Sequence, residues 1–353
     1  MVSYGEEGGI MIKFDYDYFK KISKEIFLCD SPTGYTFNVI NLVKKYVDEF
    51  GYDSKILNNG ALEVSIKGND QSKTVATSAH VDTLGLMVRS IKSDGHLALT
   101  KLGGPITATL DGEYCKIYTR DGKTYTGTIL STSPATHVYP DANTKSRDID
   151  NIEVRLDEVV HSKADVEKLG IQNGDIVCYD PKFEITESGF LKTRFIDDKA
   201  SAVVLLMLLK YTSENKISFK YNTKIYFVVY EEVGHGASMV STDIEEFVTL
   251  DMGCVGLDLA GNEEAVSICA KDSGGPYDYE LTTRLINLAK DNKLNYTVDI
   301  FPFYGSDIGA ASRAGVDFKG ALIGTGVSAS HGMERTHIKG IENTLKLIYL
   351  YLI

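Results

Sequence analysis

Cysteine is scarce in this 353-residue chain: Cys29, Cys115, Cys178, Cys254 and Cys269 are scattered, odd in number and form no Cys-x-x-Cys. That argues against a disulfide framework and fits reduced thiols in a cytosol. Long apolar runs are also missing. The most extended strongly apolar stretch, Ala202 to Leu209, is far too short to span a bilayer. The chain does not open on the basic-then-apolar pattern of a signal peptide. Basic residues are in deficit, with 37 Lys and Arg against 49 Asp and Glu, a formal net charge of -12. A surface of that sign is poorly suited to nucleic acid or to an anionic membrane. Internal repeats and low-complexity segments are absent. The expectation is a soluble, cytoplasmic protein with neither of those partners, long enough for two domains with their own cores.

What is present begins with a Gly- and Glu-rich stretch, Met1 to Ile10, expected to be a loose leader ahead of a possible start at Met11. Two helices follow, split by Asp30-Ser31-Pro32-Thr33-Gly34, a turn and helix-start signal. In the second, Val39, Val43, Tyr46 and Phe50 share a face. Asn58-Asn59-Gly60 reads as a hairpin turn into a strand over Ala61 to Ile66. The next strand, from Thr74, carries His80-Val-Asp82 at its end. From Leu86 to Lys192 short β-like runs alternate with Gly-rich turns, the pattern of a small barrel. Phe195-Ile-Asp197-Asp198-Lys199 then leads into an apolar helix, Ser201 to Tyr211.

The sharpest signal is the strand Lys224 to Tyr230, followed by Glu231-Glu232-Val-Gly234. A β-branched and aromatic run bounded by glycines reads as a strand covered on both faces. Two adjacent carboxylates at its mouth are costly to desolvate unless something positive sits there. Another short strand is expected over Val255 to Asp258, again ending in a carboxylate, and a closing amphipathic helix over Gly340 to Leu352. Strand-helix alternation on both sides of the β-rich stretch gives the fold class. It is α/β, with a central mixed sheet flanked by helices in two segments, 11–85 and 193–353, and an inserted small β-barrel domain, 86–192. His80, Asp197, Glu231, Glu232, Asp258 and His337 all fall at predicted strand ends or just beyond. Two histidines with several carboxylates suit a pair of zinc- or cobalt-like ions. Such ions, about 3.5–4 Å apart, share a bridging carboxylate and polarise a carbonyl, while an uncoordinated Glu serves as base.

In order along the chain, Ala79-His80-Val-Asp82-Thr-Leu-Gly85, Phe195-Ile-Asp197-Asp198-Lys199, Glu231-Glu232-Val-Gly234, Gly256-Leu-Asp258, Ser306-Asp307 and Glu334-Arg335-Thr-His337 resemble the M42 aminopeptidases. The resemblance covers nearly the whole chain from about Lys13. It implies a zinc-exopeptidase-like fold, hydrolysis of N-terminal residues from peptides, and two divalent ions per subunit, zinc first with cobalt or manganese as alternatives. It also implies a homo-oligomer, a dodecamer in the family, with the β insert as dimerisation domain. By the same resemblance His80 and Asp258 hold one metal, Glu232 and His337 the other, and Asp197 bridges. Glu231 is the general base, and Asp82 orients His80 from behind. His331 is the competitor of His337. Thr83 and Lys199 depart from the Glu and Arg usual in the family, which leaves the preferred N-terminal residue open. Rival readings are a related metal-dependent amidase or deacylase, a glycan-active hydrolase (some family members carry a cellulase label), and a non-catalytic assembly protein.

Overall fold

A computed structural model describes residues 11–353, so the expected leader over 1–10 lies outside the described residues. Apolar residues at helical spacing build α1 (Tyr16–Leu28) and α2 (Phe37–Glu49), which bury Phe19, Ile22 and Ile26, and Val39, Val43 and Val47. Asp15 caps α1 by accepting from the Tyr18 N–H at 3.0 Å. The Asn-Gly turn joins β1 (Asp53–Ile56) to β2 (Leu62–Ile66), with Gly60 at φ +98°. The first segment ends in β3 (Asp70–His80).

The β-rich stretch contributes β4 (Gly85–Ile91), β5 (Leu97–Leu102), β6 (Tyr114–Tyr118), β7 (Thr124–Ser131), β8 (Ile152–Leu156), α3 (Lys163–Leu169) and β9 (Ile176–Tyr179). Its strands close into an antiparallel barrel in the order β4-β5-β8-β7-β6-β9, with β9 paired back to β4. The barrel has its own core, in which Leu86, Leu99, Ile117, Ile129, Val154 and Val177 interdigitate. β10 (Glu184–Ile185) and β11 (Phe190–Thr193) then leave the barrel and pair with a strand from the far end of the chain.

The second segment opens with α4 (Ile196–Glu214), buried without interruption from Ile196 to Leu209. An all-round apolar helix of this kind must be covered on every side, and α1, α2, the closing helix and the sheet do so. It is followed by β12 (Tyr221–Val228), β13 (Glu246–Leu250), β14 (Gly253–Cys254), β15 (Val266–Asp272), β16 (Gly275–Pro276), α5 (Tyr279–Asp291), β17 (Tyr296–Ile300), α6 (Asp307–Arg313), β18 (Lys319–Val327), β19 (Glu334–His337) and α7 (Ile338–Leu352). The main sheet runs β1-β2-β12-β3-β13-β18-β15-β16, and β19 is the partner of β11. Within it β12, β3, β13 and β18 are neighbours and mutually parallel, so their carboxyl ends open on one side. The fold is the expected mixed sheet, flanked by helices and interrupted by a barrel. One strand is corrected. Val255 to Asp258 is not a strand but an exposed turn with Gly256 and Leu257 at positive φ; the strand is β13, and the carboxylate that follows it is Asp251.

Candidate metal centre

Each of the four central parallel strands delivers one piece of chemistry to the same edge. His80 is the last residue of β3. After β12 the chain makes one tight turn over Glu231–Val233, flanked by Tyr230 and Gly234 at φ +70° and +85°. Asp251 follows β13 directly, and His331 lies in the loop after β18, itself at φ +64°. Asp197 comes from the first turn of α4, where its own dihedrals and those of Asp198 are not helical.

These side chains converge. Asp197 Oδ1 lies 3.1 Å from His80 Nε2, and its other oxygen, Oδ2, lies 3.5 Å from His331 Nε2. His331 Nε2 is also 3.7 Å from Glu232 Oε2, and His80 Nε2 is 3.7 Å from Glu231 Oε2. Donor atoms of His80, Asp197 and Glu232 all fall within 4.8 Å of one another, as do those of His80, Asp198 and Asp251. The two imidazoles are oriented in the same way. His80 Nδ1 faces the Asp82 carbonyl at 2.9 Å, and His331 Nδ1 faces the Gly104 carbonyl at 3.0 Å. A carbonyl can only accept, so each Nδ1 carries a hydrogen and each Nε2 is the nitrogen turned toward the carboxylates, where loss of its proton to a metal ion leaves the usual arrangement of a ligating histidine.

Asp82 does more than stand behind His80. Its Oδ1 is 3.6 Å from His80 Nδ1, while its carboxylate accepts from the main-chain N–H groups of Glu231 (3.2 Å) and Glu232 (3.4 Å) and from the Thr33 hydroxyl (2.7 Å). It therefore fixes the backbone that presents both glutamates. Glu334 has a similar task, accepting from the N–H of Asp197 at 3.1 Å and of His331 at 2.9 Å.

The protein's own charges do not balance here. Burial raises the carboxyls of Glu232 and Asp251 well above their usual range, and the neighbouring Asp197 charge adds to it. Burial likewise raises Glu231, with Asp251 adding to the effect, and lifts Glu334 to about 8. Burial alone would lower His80, yet its hydrogen bond to Asp197 and the charges of Glu231, Asp251 and Asp82 hold it well above its ordinary value. The same contest leaves His331 at about 9. Buried oxygens of Glu232 (Oε1) and Asp198 (Oδ1) find no hydrogen-bond partner. Buried carboxylates with unused lone pairs, beside two imidazole nitrogens, are an oxygen-and-nitrogen donor set that fits divalent ions such as zinc. Beside them a cavity of about 480 Å³ is lined by Glu231, Asp251, Ser273, Phe303, Tyr304 and Arg313, among others, large enough for a small organic substrate.

The family model described as M42 glutamyl aminopeptidase matches residues 60–347. The chain belongs to the M42 family. A Bacillus subtilis protein named putative aminopeptidase YhfE is 43% identical over 94% of this chain and 96% of its own. Among solved structures, the TET aminopeptidase of Thaumarchaeota archaeon SCGC AB-539-E09 superposes with a TM-score of 0.86 at 20% identity, covering 96% of each chain. The Pyrococcus horikoshii TET1 peptidase, described as assembling into a tetrahedron or a large octahedral shell, superposes at 0.83 and 20% identity, over 94% of this chain and 98% of the other. The protein is an aminopeptidase-class hydrolase with the TET fold.

In this M42 chain the predicted residues His80, Asp82, Asp197, Glu231 and Glu232 are brought together, and two others are not. Asp258 is exposed on the turn beyond β14. His337 caps α7, its Nδ1 accepting from the Lys339 N–H at 3.1 Å and its Nε2 donating to the Ser188 carbonyl at 2.9 Å. With both ring nitrogens engaged and Phe190 packed edge-on against the ring, His337 has no atom to offer an ion. Asp251 lies within the cluster with His80 and Asp198, and His331 beside Asp197. The sequence reading missed Asp251, although its place just after the run Glu246–Leu250 is the signal that could find it, and Glu334 has none beyond its motif.

Proposed function

We propose that this protein is a co-catalytic two-metal aminopeptidase that removes N-terminal residues from peptides. The observation that carries the reading is Asp197, whose two oxygens face two different histidines, each with its Nε2 turned inward. His80, Asp251 and Asp197 Oδ1 would hold one divalent ion, and His331, Glu232 and Asp197 Oδ2 the other, zinc being the first candidate for this donor set. When bound, the ions supply Lewis-acid polarisation of the scissile carbonyl and of the attacking water. Glu231 is not among the residues so assigned and presents its carboxylate beside the cavity. It takes the proton of the attacking water at its carboxylate oxygen and returns it to the leaving amine nitrogen. Asp82 holds the Glu231 N–H in place during that transfer. The cavity walls exclude bulk water and receive the N-terminal side chain.

Assembly belongs to the same proposal. The likeness to TET1 supports a homo-oligomer, for which the inserted barrel is our candidate contact, and the free cysteines support a reducing compartment. The test is metal content of the purified protein together with hydrolysis of a panel of amino-acid amides, with and without chelator. Two ions per chain and chelator-sensitive release of free amino acids are expected. Two ions without amide hydrolysis would refute the peptidase reading and keep the site.

A further inference from the structure

The barrel reaches into the centre through the loop that follows β5. Gly103, at φ +70°, packs so closely on Glu232 that an added Cβ would lie 3.2 Å from the Glu232 carbonyl oxygen and 3.4 Å from its Cβ. Gly104 gives its carbonyl to His331 Nδ1, and the Ile106 N–H donates to the His331 carbonyl at 3.0 Å. Thr109 completes the contact through a third residue. Arg194, buried between β11 and α4, donates to the Thr109 carbonyl at 2.7 Å, to the Thr109 hydroxyl at 3.1 Å and to the Gly332 carbonyl at 3.1 Å. Its guanidinium lies 5.3 Å from the Tyr179 ring centre and 3.7 Å from Glu113, both barrel residues. One side chain therefore ties the barrel loop to the residue that follows His331.

Glu334 holds the His331 backbone N–H, and Asp197 and Glu232 face its Nε2. The loop itself runs between β18 and β19, and among the described residues the hydrogen-bond partner of Nδ1, the nitrogen that sets the tautomer, is the Gly104 carbonyl. We propose, resting on the two-ion reading above, that the β5–β6 loop of the barrel is the positioning element of the His331-side ion site, with Arg194 as the positioning residue that clamps it. The His80-side site has no such dependence, because His80 is oriented by Asp82 from its own segment. The insert then serves as part of the catalytic scaffold and not only as an oligomerisation module. Whatever grips or shifts the barrel is felt at one ion and not at the other.

The test uses the full-length protein, stripped with chelator and titrated with zinc against a chromophoric competitor. Two variants are needed. Arg194→Met keeps length and removes the fork. Gly104→Ala keeps the carbonyl and places a methyl 3.3 Å from His331 Nδ1, at a glycine whose φ is not positive. In both, one zinc should bind as in wild type and the other about 10–100-fold more weakly, the usual effect of disturbing a group behind a metal ligand. Unchanged binding of both ions overturns the proposal, and so does equal weakening of both, which would mean a merely structural role. Should Arg194→Met fail to fold, Gly104→Ala decides by the same criteria. A wild-type chain that takes up no zinc refutes the two-ion reading itself, whereas normal wild-type uptake with unselective variants refutes the positioning role alone.

Discussion

Replacing Glu231 with Gln is the most discriminating perturbation of the chemistry. The amide has the size of the carboxylate, and the backbone N–H of residue 231 would still be held by Asp82, so the group should stay where it is. Glu231 is not one of the proposed ligands, so the ions should remain, two per chain. What is lost is an acceptor able to take and return a proton. Positioned general bases contribute about 10²–10⁴-fold, which at 1.36 kcal/mol per decade is a barrier increase of about 2.7–5.4 kcal/mol. The assay is steady-state hydrolysis of the best amide from the panel, with metal content measured on the same sample. kcat should fall by that factor with KM nearly unchanged, because the lost interaction belongs to the transition state. A loss under about tenfold, or the loss of an ion, would refute the assignment of Glu231 as an uncoordinated base.

Three further outcomes are expected. Asp251→Asn should lower metal content toward one ion per chain, whereas Asp258→Asn, on an exposed turn, should alter neither metal content nor stability beyond about 0.5 kcal/mol; elemental analysis and thermal melts check both. His331→Ala should lose an ion, while His337→Ala should keep both and cost about 1–2 kcal/mol for the lost cap and buried hydrogen bond, read by urea denaturation. In chelated protein, stability should fall as pH rises from about 5 to about 8. The raised carboxyls, Glu334 at about 8 among them, hold protons in the folded chain that the unfolded chain has already released, so their contribution is lost across that interval. His331, at about 9, acts with the same sign, its contribution fading from its unfolded value of about 6.5 upward. Asp197, depressed by its histidine partners against the effect of burial, has the opposite sign but only at lower pH. Calorimetric melts should show this slope, and excess zinc should flatten it; a melting temperature that climbs with pH in the chelated protein would contradict the charge analysis.

Local pattern was enough for the parts of this fold that rest on local physics. The two opening helices, the Asn-Gly hairpin, the barrel strands and the closing helix follow from periodicity and turn chemistry, and the Glu231-Glu232 pair announced itself by its cost. The failures have one cause. Which carboxylate and which histidine reach the centre is decided by pairing between strands far apart in sequence, and short motifs do not carry that information. Gly256-Leu-Asp258 looked like a strand end because it follows apolar residues, but β13 had already ended at Leu250. His337 looked like a ligand because it closes a motif, but its place just before an amphipathic helix made it a cap. Lys199, where the family usually has Arg, turned out to be buried, its amine donating to the Cys29 carbonyl at 2.6 Å. It serves the joint between α1 and α4 and does not face the substrate cavity.

The four parallel strands that meet at the centre have a consequence for the newborn chain. Proteins emerge from the ribosome from the N-terminus at roughly 5–20 residues per second, and β3 must wait for β12, β13 and finally β18 before its neighbours are in place. Between β3 and β12 the barrel, whose pairings are all internal, can close first and alone. The complete donor set does not exist until the loop carrying His331 has been made and docked. A chain that ends before β18 therefore lacks the second imidazole of the proposed two-ion centre and should show no peptidase activity.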